Sequence, residues 1–298
     1  MVGINGVIMK HIKYNVNVCD NIVNDLEIHF TKACENTCPF CIDKLNAGIN
    51  ESPKPDVNKI MFTAIAHHKK YDYIGIAGGE PCLYIHDLNE LCYKLKYAFP
   101  NKQLNLITAV PEICYKEKET FFQILNLCDS ITISPQHHNQ NIADKIRGRK
   151  SEFDREEFYK ELPHKEKISI TINLIKGYLD NFTDLKDCLL YYNKLGFTKF
   201  KVCELSKRET MFVNLEDVLG VKLESPFAHG CLEKDFNIKK LIPEFNGTLN
   251  LKRTCFYNNK LRNASIWDFI KICTRWVFRK KFFFGVIYGN GEIYKYWQ

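Results

Sequence analysis

The stretch LEIHFTKACENTCPFCIDK, Leu26 to Lys44, decides the architecture: an alternating apolar run leads straight into a loop that packs Cys34, Cys38 and Cys41 into eight residues. Alternation with period two marks a β-strand with one buried face. Similar β-rich runs recur at YDYIGIAGG (71–79), QLNLITAV (103–110), SITISPQ (130–136), ISITINLI (168–175) and KFKVCEL (199–205). Segments of helical period lie between them, at 57–70, 88–99, 118–128, 153–162 and 183–195. Strands alternating with helices predict an α/β fold with a parallel sheet. The repeats fill residues 26–206, which predicts a partial (βα)6 TIM-like barrel, its site at the carboxyl ends of the strands. Residues 1–25 are then a lead-in. The remainder, 207–298, is a C-terminal α+β extension in which GNG, between two aromatic β-prone runs, predicts a β-hairpin.

Bulk composition narrows the class. At 298 residues and 45% hydrophobic, the chain can bury a sizeable core. It has no run of about 18 apolar residues, and the start lacks a basic leader and a cleavage site, so neither membrane span nor signal peptide is expected. Thirteen cysteines, an odd number, then point to a reducing cytoplasm rather than a disulfide framework. Cys92, Cys114, Cys128 and Cys188 fall in helical apolar patterns and are expected as small buried hydrophobes. The net charge of +7 suits an anionic substrate, but the basic residues are spread along the chain apart from Arg279–Lys281, which makes a poor case for nucleic acid.

Three thiols in one loop are the wrong number for a structural zinc, which takes four ligands, unless a distant Cys or His completes the set. They suit a [4Fe–4S] cluster, with one thiolate on each of three irons and the fourth open to a ligand. A second cluster of signals stands at the end of the second run: Gly78, Gly79, Glu80 and Pro81. Glycine permits close backbone approach, and a carboxylate accepts hydrogen bonds from an ammonium group.

The C-x3-C-x2-C spacing with Phe40 before its last cysteine, followed by GGEP on the second strand, resembles the radical S-adenosylmethionine (radical SAM) superfamily. The resemblance implies that Cys34, Cys38 and Cys41 hold the cluster, with S-adenosylmethionine on the open iron and its amino group at Gly78, Gly79 and Glu80. It also implies cofactor contacts from Ser134, Arg147 and Asn173, on or beyond the fourth and fifth strands, Arg147 being suited to grip a carboxylate. The activity implied is reductive cleavage of the cofactor to a 5′-deoxyadenosyl radical that takes hydrogen from a substrate, with flavodoxin or ferredoxin as electron donor. No residue is assigned to catalysis. The branch most similar contains the molybdenum-cofactor cyclase, peptide maturases and the antiviral nucleotide dehydratase, and the charge favours a nucleotide or other anionic small molecule over a peptide or RNA. A non-catalytic zinc-binding interaction module is the alternative of another class.

Outside these motifs, His137 and His138 follow the fourth strand and are expected as a solvated loop pair, while Cys82 and Cys203 at strand ends are given no chemical role. In the tail, GNGEIYKYW resembles a hairpin that carries a cluster ligand in several branches, but Tyr296 stands where the closing cysteine would be. Cys231, Cys255 and Cys273 follow no cluster spacing and are expected as buried thiols, an auxiliary cluster with a non-cysteine ligand being the alternative. Residues 265–281 put Ile266, Phe269, Ile270, Cys273, Trp276 and Val277 on one helical face, expected to pack on a core.

Overall fold

The computed structural model describes residues 25–41, 53–67, 71–205, 210–221, 232–253, 284–291 and 293–294. Cys231, Cys255, Cys273, Tyr296 and the stripe at 265–281 lie outside them. Six strands follow the six alternating runs: β1 Asp25–Thr31, β2 Tyr73–Gly78, β3 Gln103–Thr108, β4 Ser130–Ile133, β5 Ile168–Leu174 and β6 Lys199–Glu204. They pair in parallel in chain order. Helices α1 Val57–His67, α2 Ile85–Ala98, α3 Glu112–Lys116, α4 Lys118–Leu127, α5 Gln140–Arg147, α6 Arg155–Glu161 and α7 Phe182–Lys194 return the chain between them.

The tail does more than add a hairpin. After α8, Leu215–Leu219, the strands β7 Leu232–Phe236 and β8 Thr248–Arg253 pair antiparallel with each other, and β8 lies parallel to β6. The strand β9, Phe284–Tyr288, joins the other edge in parallel with β1 and pairs antiparallel with β10, Ile293–Tyr294, across Gly291. The order is β10-β9-β1-β2-β3-β4-β5-β6-β8-β7, an unclosed barrel with eight parallel strands inside two antiparallel edges. The hairpin and the open barrel stand, and the sheet continues beyond residue 206 into both edge pairs. The two edge pairs are built by short strands that the six-repeat pattern does not announce.

One face of the sheet supplies the core. Ile28, Ile76, Leu106, Ile133, Ile170, Ile172 and Val202 are buried in one hydrophobic cluster with Leu88, Leu91, Phe121, Ile124, Phe158 and Leu189 of the helices. Cys92, Cys114, Cys128 and Cys188 lie wholly inside, as expected of small apolar side chains. Among the described residues no helix is long and apolar enough to cross a membrane.

Candidate active site

β1 delivers the cysteine loop at its carboxyl end. Cys34, Cys38 and Cys41 are all half-buried, and the Cys41 N–H donates to the Cys38 carbonyl (3.1 Å), so Pro39 and Phe40 form a tight turn between two of the thiols. Phe40 packs against Ile146, Ile175 and Leu205, which ties this turn to α5 and to the exits of β5 and β6. Thr37 donates from its backbone N–H (2.6 Å) and its Oγ1 (3.2 Å) to the Arg147 carbonyl. Arg149 pairs with Glu35 and, at 3.4 Å, with Glu112. At Gly148, φ is 66° and a Cβ would overlap Thr37 Oγ1. Glycine there both ends α5 in the left-handed conformation and leaves room for the loop.

The second motif meets the first directly. The Gly79 N–H donates to the Thr31 carbonyl (2.6 Å) and the Glu80 N–H to the Ala33 carbonyl (2.8 Å). A Cβ on Gly78, whose φ is 130°, would sit 2.5 Å from the Thr31 oxygen. The glycines are therefore required at least by the contact between two backbone segments, a need the sequence alone had linked only to a ligand. Glu80 is buried: Oε1 accepts from Thr108 Oγ1 (2.7 Å) and the Cys82 N–H (3.1 Å), and Oε2 accepts from the Ala109 N–H (2.7 Å). Burial pushes its carboxyl upward, and these hydrogen bonds oppose the shift. Next to it Val110 has φ 54°, a strained value for a β-branched residue, with its N–H donating to Thr108 Oγ1 (2.9 Å).

The remaining candidates form a chain across the exits of β4 and β5. Asn173 Nδ2 donates to Gln136 Oε1 (3.2 Å), and Gln136 Nε2 lies 3.4 Å from the Ser134 carbonyl it donates to. Gln136 was missed from sequence, because a left-handed φ of 72° at a buried glutamine leaves no compositional trace. Arg147 is also buried. Its Nη2 donates to the carbonyls of Pro135 (2.9 Å) and Ala109 (3.4 Å), while Nε has no partner among the described residues. The structure thus brings Gly78, Gly79, Glu80 and the cysteine loop into contact, with Arg147 as a buttress that reaches the loop through its backbone carbonyl.

His137 and His138 are not a solvated pair. His137 is 5% exposed, its Nδ1 accepts from the Asn139 N–H (2.9 Å), and its ring stacks on His138 at 4.4 Å. Asn139 caps α5, which pulls the preceding backbone under α7, where Tyr192 Oη donates to the His137 carbonyl (3.1 Å). Burial, and then the His138 charge, push the His137 imidazole down to about 4. A histidine depressed in the folded state binds fewer protons than its unfolded counterpart between that value and about 6.5. Stability should therefore fall as pH drops through this window, by about 1–2 kcal/mol once the full shift is discounted for solvent screening. Thermal melts from pH 7 to pH 4.5 should show a shallower loss for His137→Gln than for the parent; parallel profiles would refute the assignment. Cys82 is buried with its thiol raised by burial, and Cys203 is 9% exposed on β6.

The donor set fits an iron–sulfur cluster: three half-buried thiols on one short loop, braced by backbone contacts on two sides. Residues 28–189 match the family model described as Radical SAM superfamily. The chain belongs to the radical SAM superfamily, and it is an enzyme of that type, a class that uses a [4Fe–4S] cluster and S-adenosylmethionine. No curated protein sequence is significantly similar to it. Among solved structures, methylornithine synthase (PylB) is 14% identical with TM-score 0.45, the match covering 63% of this chain and 56% of that one. Coproporphyrinogen III oxidase (HemN) from Escherichia coli is 12% identical with TM-score 0.41 over 65% of this chain and 48% of its own. The methyltransferase TsrM from Kitasatospora setae, with cobalamin and a [4Fe–4S] cluster bound, is 13% identical with TM-score 0.46 over 72% and 42%. The chain spans less than two thirds of the length of each.

Proposed function

We propose that Cys34, Cys38 and Cys41 hold the cluster, that the backbone at Gly78–Glu80 and the side chains of Ser134, Arg147 and Asn173 surround the cofactor, and that the substrate is a nucleotide or other anionic small molecule. The observation that supports this reading most is the locked contact between the cysteine loop and the Gly79–Glu80 backbone, which sets two motifs side by side at the carboxyl ends of β1 and β2. When bound, the cluster and S-adenosylmethionine supply an electron and a carbon radical able to take hydrogen from an unactivated C–H bond. The chain's own residues hold and exclude: Phe40 closes the loop over the β5 and β6 exits, and the Glu80 network fixes the β2 and β3 exits beside it. The combination of Ser134, Arg147 and Asn173 supports placement in the branch of the molybdenum-cofactor cyclase, peptide maturases and nucleotide dehydratase. We also propose a division at residue 206 into barrel and extension, a flavodoxin- or ferredoxin-type electron donor, and a cytoplasmic setting, which the odd cysteine count supports.

Purified without oxygen and supplied with iron and sulfide, the protein should be brown, hold about four irons per chain, and release 5′-deoxyadenosine from S-adenosylmethionine after reduction. A colourless protein with stoichiometric zinc would overturn the reading. About eight irons would mean that the tail carries a second cluster.

A further inference from the structure

The turn Ser134–Pro135–Gln136 beyond β4 ties Arg147 and Asn173 to the strand exit. The Pro135 carbonyl accepts from Arg147 Nη2 (2.9 Å), the Ser134 carbonyl accepts from Gln136 Nε2 (3.4 Å), and Gln136 Oε1 accepts from Asn173 Nδ2 (3.2 Å). Ser134 is itself fixed to β3, its N–H donating to the Thr108 carbonyl (3.0 Å). Gln136 is 6% exposed, and its φ of 72° lies in the left-handed region. Glycine adopts that φ without steric cost, so a glutamine held there against strain points to a use for its side chain.

The direction of these bonds fixes both amides. A backbone carbonyl only accepts, so the end of the Gln136 amide that faces the Ser134 oxygen is its nitrogen. Its oxygen is then the end that faces Asn173, and Asn173 turns its own nitrogen to meet it. Among the described residues the Asn173 side chain bonds through Nδ2 alone, and the residue is part-exposed. Ile172 and Leu174 on either side are buried in the hydrophobic cluster, so Asn173 stands on the opposite face, near the carboxyl end of β5. One carbonyl thus decides, through two amides in series, that the β5 exit offers Oδ1 as an acceptor.

We propose that Gln136 is a positioning residue: it holds the Asn173 amide with Oδ1 free to accept, and so sets this contact for a hydroxyl that donates from the ribose of S-adenosylmethionine. This rests on the reading of Asn173 as a cofactor contact. Gln136 does not touch the cofactor and acts through Asn173 in two ways. It fixes the amide before the cofactor arrives, so less rotamer freedom is lost on binding. It also fixes which end of the amide is presented. Without it the amide can turn over and offer Nδ2, which suits a group that only accepts.

The test measures binding of S-adenosylmethionine, and of analogues with fluorine in place of the 2′ or the 3′ hydroxyl, to the full chain carrying its reconstituted cluster. Fluorine accepts and cannot donate, so for one of the two analogues the parent should bind about tenfold more weakly than S-adenosylmethionine. Gln136→Met should weaken S-adenosylmethionine about fivefold, and its discrimination against that fluoro analogue should shrink to about twofold as the amide turns over. In 5′-deoxyadenosine release it should raise KM and leave kcat unchanged, which a general loss of structure would not do. Gln136→Gly, which keeps the left-handed turn, should reproduce the weakened binding and serves if the methionine variant folds poorly. Asn173→Ala should weaken binding about tenfold, and adding Gln136→Met to it should change nothing further. Parent-like affinity and discrimination in both Gln136 variants, with Asn173→Ala impaired, overturns the proposal alone. Parent-like binding in Asn173→Ala overturns the cofactor reading of Asn173 and the proposal with it.

Discussion

Gly79→Ala should lose its iron as completely as Cys38→Ala, although it removes no thiol. A Cβ at this position would lie 2.6 Å from the Lys32 carbonyl oxygen and 2.7 Å from its carbon, and closer still to the Ala33 oxygen. All three are backbone atoms, so no side chain can swing aside. The loop has to move, and moving it breaks the hydrogen bonds from Gly79 to Thr31 and from Glu80 to Ala33. Each is worth about 0.5–1.5 kcal/mol, and overpacking adds about 1–3 kcal/mol. A shift on the order of 1 Å is enough to take three thiolates out of register with a rigid cluster. Iron and sulfide per chain after anaerobic reconstitution should fall to background in both variants, with far-ultraviolet circular dichroism close to the parent. Parent-level iron in Gly79→Ala would show that the backbone contact is not needed for the loop to work.

Glu80→Gln should destabilise the protein by about 2–4 kcal/mol, more than expected for an exchange that keeps the shape. The carboxylate accepts from a backbone N–H on each oxygen, Cys82 on one and Ala109 on the other, with Thr108 Oγ1 adding a third donor. An amide has only one oxygen. Whichever way it is turned, its NH2 faces a buried N–H, and one donor is left unpaired. The damage should spread to Val110, whose strained φ is held by Thr108 Oγ1 in the same network. Urea denaturation should show a lower midpoint at an unchanged slope. A variant as stable as the parent would mean that the carboxyl is held protonated and that glutamine reproduces its hydrogen bonds. Glu80 is raised by burial, so this alternative has a definite signature.

Much of the barrel was legible because its six strands alternate cleanly and its helices carry apolar stripes, a local signal with a known period. The helix α5 shows a signal available but not used: Asn139 caps its start, Gly148 ends it, and Ile142 and Ile146 stand four apart. Its formation turned His137 from a solvated residue into a buried one. The strands β8 and β9 were harder, since their partners β6 and β1 lie far away in sequence and pairing is not encoded locally.

Residue types and spacing carry the chemistry on offer: three cysteines in a spacing suited to a cluster with one open iron, a glycine pair and a carboxylate on the next strand, and six βα units to carry them. Residue type and spacing suffice there because ligation depends on which atoms a short loop presents. Tertiary structure alone decided what those residues touch. It turned Gly79 into a seat for the cysteine loop, Glu80 into a tie between two strand exits, and Arg147 into a buried buttress, because contact across strands depends on register and burial.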